Sequence, residues 1–150
     1  MAASAQKQIR PTRGSRGSSA TRGEAEVRAS GPSTFVGQFM DAHGLVNIAR
    51  VAETFLMSRP QLAMTAGLGP TTIAKAARQK AAKTQTRVKE MLEIIGRVRD
   101  WAGGEAQAMA WYRSQPIPAL NGRTPEALVK SGEAAKVREY LDHLALGGYA

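Results

Sequence analysis

The side chains able to carry covalent or metal chemistry are few. His43 and His143 are the only histidines, and neither has a second ligand at metal spacing. Cysteine is absent, so no disulfide and no thiolate zinc site can form, and the carboxylates that would have to replace thiolates show no clustering. Asp41 and His43 are a lone near-pair, and both histidines read as surface or capping residues. No G-x-x-x-x-G-K-[ST] loop occurs, and Gly67-Leu68-Gly69 follows a helical pattern rather than the strand a dinucleotide fingerprint requires. An enzyme is therefore not expected, nor a metal, nor a cofactor. The chemistry that remains is recognition.

Charge says where recognition of a polyanion would sit. The net charge of +9 divides into +4 for residues 1–34, +5 for residues 35–100 and zero for residues 101–150, where five cations meet five acids. Between Thr54 and Lys89 there is no acid at all, which leaves Arg59, Lys75, Arg78, Lys80, Lys83, Arg87 and Lys89 uncancelled. That is a phosphate-binding composition, although good helix formers of this kind also make an ordinary solvated helix face. The neutral last third calls for a different partner.

The elements that must carry these cations are helical. Leu45, Ile48, Ala49, Ala52, Phe55 and Leu56 recur on one face. Ser58-Arg59-Pro60-Gln61 fits the S-x-x-Q capping box, so a second helix starts there and ends at Gly67. Gly69-Pro70 opens a third, with Leu62, Ala63, Ala66, Leu68 and Ile73 holding two short helices across a tight turn, which is helix-turn-helix spacing. The stretch RPQLAMTAGLGPTTIAKAAR resembles the Xre-type helix-turn-helix. The resemblance implies that Thr71, Thr72, Lys75 and Arg78 form a DNA-recognition surface, with Ser58, Arg59 and Gln61 near backbone phosphates.

Around that region the pattern stays helical. A break is expected near Thr84-Gln85-Thr86, followed by an amphipathic helix through Val88, Met91, Leu92, Ile95 and Val98 toward Trp101. Gly103-Gly104 interrupts it, and a helix from Glu105 to Arg113 should carry Ala106, Met109 and Ala110 into the core, with Trp111 beside them. No β-type alternation occurs, so the fold class is all-α. Residues 45–57, the longest apolar stretch, are interrupted by Asn47, Arg50 and Glu53, which predicts a soluble protein with no membrane span. Residues 1–34 contain almost no large apolar side chain and read as a disordered basic arm.

The last forty residues, WYRSQPIPALNGRTPEALVKSGEAAKVREYLDHLALGGYA, carry dense punctuation. Pro116 and Pro118 bar helix, so the preceding helix ends near Ser114. Asn121-Gly122 is turn chemistry, and Thr124 with Pro125 reads as an N-cap followed by proline at the first helical position. The helix so started runs to about Ser131, where Gly132 breaks it. Val137, Tyr140, Leu141 and Leu144 then make the last helix amphipathic, and Gly147 terminates it.

Trp111, Pro118, Leu120, Gly122, Arg123, Pro125, Gly132, Val137, Leu141, Gly147 and Ala150 are the residues by which this region resembles the toxin-binding domain of the Xre/MbcA/ParS antitoxin family. With the composition-based arm over residues 1–34, the two resemblances divide the chain into three parts, the others being an Xre-like DNA-binding region over 35–100 and a toxin-binding domain over 101–150. The antitoxin resemblance also implies a bacterial, cytoplasmic antitoxin, acting as a homodimer, that binds its own operator DNA and neutralises a RES-domain toxin that degrades NAD⁺. The toxin-binding residues would be Arg123 and the terminal Gly147, Gly148, Tyr149 and Ala150, the tail plugging the toxin's active site. The competing expectation is a free-standing transcriptional regulator whose C-terminal module only dimerises.

Overall fold

The computed structural model describes residues 32–147, and these are all-α: eight helices and one 3-10 turn, with no β-strand among the described residues. The expected disordered arm lies outside the described residues up to position 31, whereas its last three residues open the first helix. That helix, α1 (Pro32–Gly37), is followed by α2 (Ile48–Thr54), α3 (Arg59–Thr65) and the single-turn α4 (Ala76–Gln79). Then come α5 (Ala82–Ala102), α6 (Glu105–Ser114), the 3-10 turn Pro118–Leu120, α7 (Pro125–Lys130) and α8 (Ala134–Ala145).

Helix α5 is the axis. Its residues Val88, Met91, Leu92, Ile94, Ile95 and Val98 are all fully buried, and α1, α4, α6, α7 and α8 pack around them. Gly96 lets α1 approach closely: a Cβ there would stand 2.9 Å from the Phe35 ring. Phe35 meets Phe39 edge-on at 5.3 Å, and Phe39 stacks on Phe55. One buried cluster runs from Phe35 to Leu141, so the expected border at residue 100 falls inside a helix that serves both halves.

Local signals produce most of the boundaries. Ser58 and Gln61 make both bonds of the capping box at the start of α3. The Thr124 side chain caps α7 with Pro125 in its first turn. Gly103 at φ +101° ends α5, and Gly147 at φ +87° follows α8. Both need the left-handed region that glycine enters without penalty.

Several expectations are corrected. No break occurs at Thr84-Gln85-Thr86: α5 passes straight through, and Thr84 and Gln85 are buried. Gln85 stays satisfied because its side chain accepts from Val46 N–H at 2.7 Å and donates to the carbonyls of Gln79 and Val46. The face expected for α2 is wrong in part. Leu45 precedes the helix, Ala49 is exposed, and the chain leaves helix before Leu56, which sits at φ +53° and is 93% exposed. Ile48 and Ala52 are buried as expected, and Val51 joins them on the buried face. In α6 the buried residues are Ala108, Met109 and Tyr112, and Ala106 and Ala110 face solvent.

Among the contacts that fasten the first half to the second are the following three. The Tyr112 hydroxyl donates to the Thr65 carbonyl at 2.8 Å, at the C-terminal end of α3. Arg87 donates to the Val129 carbonyl of α7 at 2.9 Å. Gly67, at φ +81°, brings its backbone so near α7 that a Cβ would lie 2.8 Å from Lys130 Cα.

Candidate functional site

The cations of the first half end up in two groups. Arg59, Lys75, Arg78, Lys80 and Lys83 are exposed, and none of them takes part in an ion pair among the described residues. Every ion pair found lies between Glu93 and Asp142, where acids are available. Arg87 is removed from the basic set because its guanidinium serves the joint to α7. Exposed cations without acid partners can neutralise phosphates at little desolvation cost.

The recognition helix expected from Pro70 onward does not form. Residues 70–73 are turns and residues 74–75 a bend, with single-turn bonds from Thr72 N–H to the Gly69 carbonyl and from Ala74 N–H to the Thr71 carbonyl; helix appears only at α4. The physical cause is Ile73, which is fully buried and whose carbonyl accepts from the Gln79 side chain at 2.9 Å. The chain wraps around that anchor. Thr71 is consequently exposed in a turn, Thr72 is half-buried, Lys75 precedes α4 and Arg78 rides on it. These four residues do not share one helical face. Ser58 and Gln61 use their polar atoms on the capping box at 3.2 and 2.9 Å, so Arg59 is the cation left exposed in that group.

Arg123 serves the fold. An Ile117–Arg123 bridge closes the turn containing Asn121 at φ +60° and Gly122 at φ +69°. From there the guanidinium reaches the Glu133 carboxylate and the Ser131 hydroxyl, with a further bond to the Ala127 carbonyl. Lys136 donates to the same carboxylate at 2.7 Å. Hydrogen bonds from Lys136, Ser131 and Arg123 hold the Glu133 carboxyl down at about 2. The network locks the α7–α8 corner. Gly147 is exposed just beyond α8. Gly148, Tyr149 and Ala150 lie outside the described residues.

One surface depression was not anticipated. It is an open groove of about 610 Å³ between the C-terminal part of α5 and α8, lined by Arg97, Trp101, Leu141, Asp142, Leu144 and Ala145. Trp101, expected near the end of an amphipathic helix, is 58% exposed and meets the half-buried Trp111 edge-on at 5.5 Å. Arg97 and Asp142 pair across the rim at 2.7 Å. Beside it, Leu146 is 89% exposed. The available signal was an indole placed next to the Gly103-Gly104 break, where a helix end leaves little structure to cover it.

Among the described residues no group of His, Asp or Glu is arranged to hold a metal ion, and no helix is long and apolar enough to cross a membrane. His43 contributes its backbone N–H, not its ring, to the Asp41 carboxylate at 2.8 Å. The Leu45 and His43 backbone N–H groups, in that order of effect, hold Asp41 below the usual carboxylate range, as befits a turn cap.

Residues 97–147 match the family of the antitoxin Xre/MbcA/ParS C-terminal toxin-binding domain. The match covers about a third of the chain and takes in the end of α5, all of α6 to α8, the Arg123 network and every residue lining the groove. Comparison with curated proteins and with solved structures gives no match.

Proposed function

We propose that this chain, whose residues 97–147 belong to the Xre/MbcA/ParS antitoxin toxin-binding domain family, is the antitoxin of a type II module that neutralises a RES-type, NAD⁺-degrading toxin by direct binding. The single observation that carries the reading is that family match. In support, the matched residues include a locked α7–α8 corner and an apolar groove that no other described residue covers. A protein partner is the ligand such a surface suits. The chain itself would bind no NAD⁺: Arg97, the cation at the groove, is committed to Asp142 and to the Arg138 carbonyl.

The basic half would bind the module's own operator DNA, in a bacterial cytoplasm and as a homodimer. What supports DNA is the exposed, unpaired set Arg59, Lys75, Arg78, Lys80 and Lys83. With Thr71 and Thr72 in turns, base reading by an inserted recognition helix loses its scaffold, and phosphate contacts carry the larger share of this reading. The tail from Gly147 through Gly148 and Tyr149 to Ala150 would reach the toxin's active site.

The test is co-expression of the full chain with the product of the adjacent gene. A complex that copurifies, and NAD⁺ degradation that falls in step with added antitoxin, are expected. Deleting Gly147 to Ala150 should spare the fold and DNA binding while severely weakening inhibition. Full inhibition by the truncated chain would move the plug away from the tail, and absence of any complex would sink the antitoxin–RES pairing.

A further inference from the structure

The groove between α5 and α8 has a build that suits an apolar protein segment. Its lining is mostly apolar, from Trp101, Leu141, Leu144 and Ala145, and it is open rather than enclosed. Its polar rim is already satisfied, since Asp142 takes the Arg97 guanidinium at 2.7 Å and the Arg138 carbonyl takes a second bond from it. A dinucleotide or other phosphate ligand would find no uncommitted cation there. An apolar protein segment would need none.

The indole is held ready for such a segment. Trp101 stands edge-on to Trp111 at 5.5 Å, and Trp111 packs on the main core, so the exposed ring is braced from behind. A large, rigid, exposed aromatic in an apolar depression, bordered by satisfied polar groups, is the usual anatomy of a binding hot spot. Leu144 and Leu146 extend the apolar surface toward the end of α8.

Which protein covers it follows from position. All six lining residues fall within the toxin-binding match. The five exposed unpaired cations of the basic half all lie before that match begins. Resting on the antitoxin reading above, we propose that this groove is the principal toxin-docking surface. It receives an apolar helix or loop of the toxin whose large side chain seats against Trp101 and Leu144, with polar flanks facing the Arg97–Asp142 pair. Docking here would then be separate from any plugging by the tail.

The test uses the full chain with its copurified toxin partner, measured by calorimetric titration. Trp101→Ala removes the anchor, and Ala145→Arg fills the groove from an exposed helical position without deleting a packed side chain. Leu56→Ala, at the other highly exposed leucine outside the match, is the control. Each anchor variant should weaken toxin binding about thirtyfold or more, as expected for a hot-spot residue. Helical content and the unfolding midpoint should stay at the wild-type values, and Leu56→Ala should bind normally. If the wild type binds and both anchor variants bind equally well, the docking surface is elsewhere and the antitoxin reading survives. If the wild type does not bind, both proposals fall. A toxin-free wild-type dimer that dissociates in both anchor variants would assign the groove to a second copy of this chain and overturn the proposal.

Discussion

Removing one oxygen atom from Tyr112 should weaken the joint between the two halves by a calculable amount. The Tyr112 hydroxyl is fully buried and donates to the Thr65 carbonyl at 2.8 Å, and no other donor reaches that carbonyl among the described bonds. Tyr112→Phe keeps the ring and its packing, so the cost is the lost bond plus an orphaned buried acceptor, about 1–3 kcal/mol. At roughly 4 °C per kcal/mol for a domain of this size, the thermal midpoint should fall by about 4–12 °C. Urea unfolding should show a lower midpoint with an unchanged slope, because the surface exposed on unfolding is the same. Tyr140→Phe is the control: that residue is half-buried, its hydroxyl has no partner among the described bonds, and the change should stay within about 0.5 kcal/mol. Burial also pushes the Tyr112 phenol well above the ordinary tyrosine value of 10.0. With the folded value raised, its contribution is fully present below pH 10 and is lost as pH rises beyond it. The alkaline fall in stability should be shallower in Tyr112→Phe. A midpoint within about 0.5 kcal/mol of wild type, with an alkaline limb that does not change, would refute the reasoning.

Three further outcomes are expected. Gly67→Ala must hold alanine at φ +81° and place a Cβ 2.8 Å from Lys130 Cα, which is backbone and cannot swing away; a loss of about 2–4 kcal/mol in urea unfolding is expected, and a neutral result would contradict the close approach of α7. Glu133, held down at about 2 against 4.5, contributes stability above the unfolded value that disappears as pH falls from about 4.5 to about 2. Glu133→Gln should therefore flatten the acid limb of stability against pH, and an acid limb as steep as that of the wild type would show that the network does nothing. Lys75→Ala and Arg78→Ala should each lower the slope of log affinity against log salt for promoter DNA by about 0.9, and unchanged slopes in gel-shift titrations would remove both from the phosphate contacts.

What was legible in the sequence was local. The Ser58–Gln61 box, the Thr124–Pro125 start and the glycine stops at 103, 132 and 147 each depend on neighbours within a few residues, and each appears where expected. The toxin-binding region could be read for the same reason, as punctuation in order. The misread places involve partners far along the chain. Thr84 and Gln85 look like a helix break, yet Gln85 is satisfied by Val46, thirty-nine residues earlier. Pro70 looks like a helix start, yet burial of Ile73 bends residues 70–75 into turns and a bend. Alanines at 106, 108 and 110 cannot fix the phase of α6; Tyr112 does, through its bond to Thr65. The groove was hidden because its two walls come from helices forty residues apart, and nothing local says that Trp101 at the end of α5 stays exposed.

Helix α5 also sets an angular relation between the two proposed surfaces. Lys83 near its start and Trp101 near its end are eighteen residues apart, which is five full turns of α-helix, so both leave the rod on the same side, about 27 Å from one another. A bulky partner seated at the indole would then extend along the side of α5 from which Lys83 projects. The buried residues from Val88 to Val98 between them hold that phase fixed, because a shift in register would turn the core face of α5 outward. Any relation between toxin and DNA would then be set by the core of α5 as much as by the residues that touch either ligand.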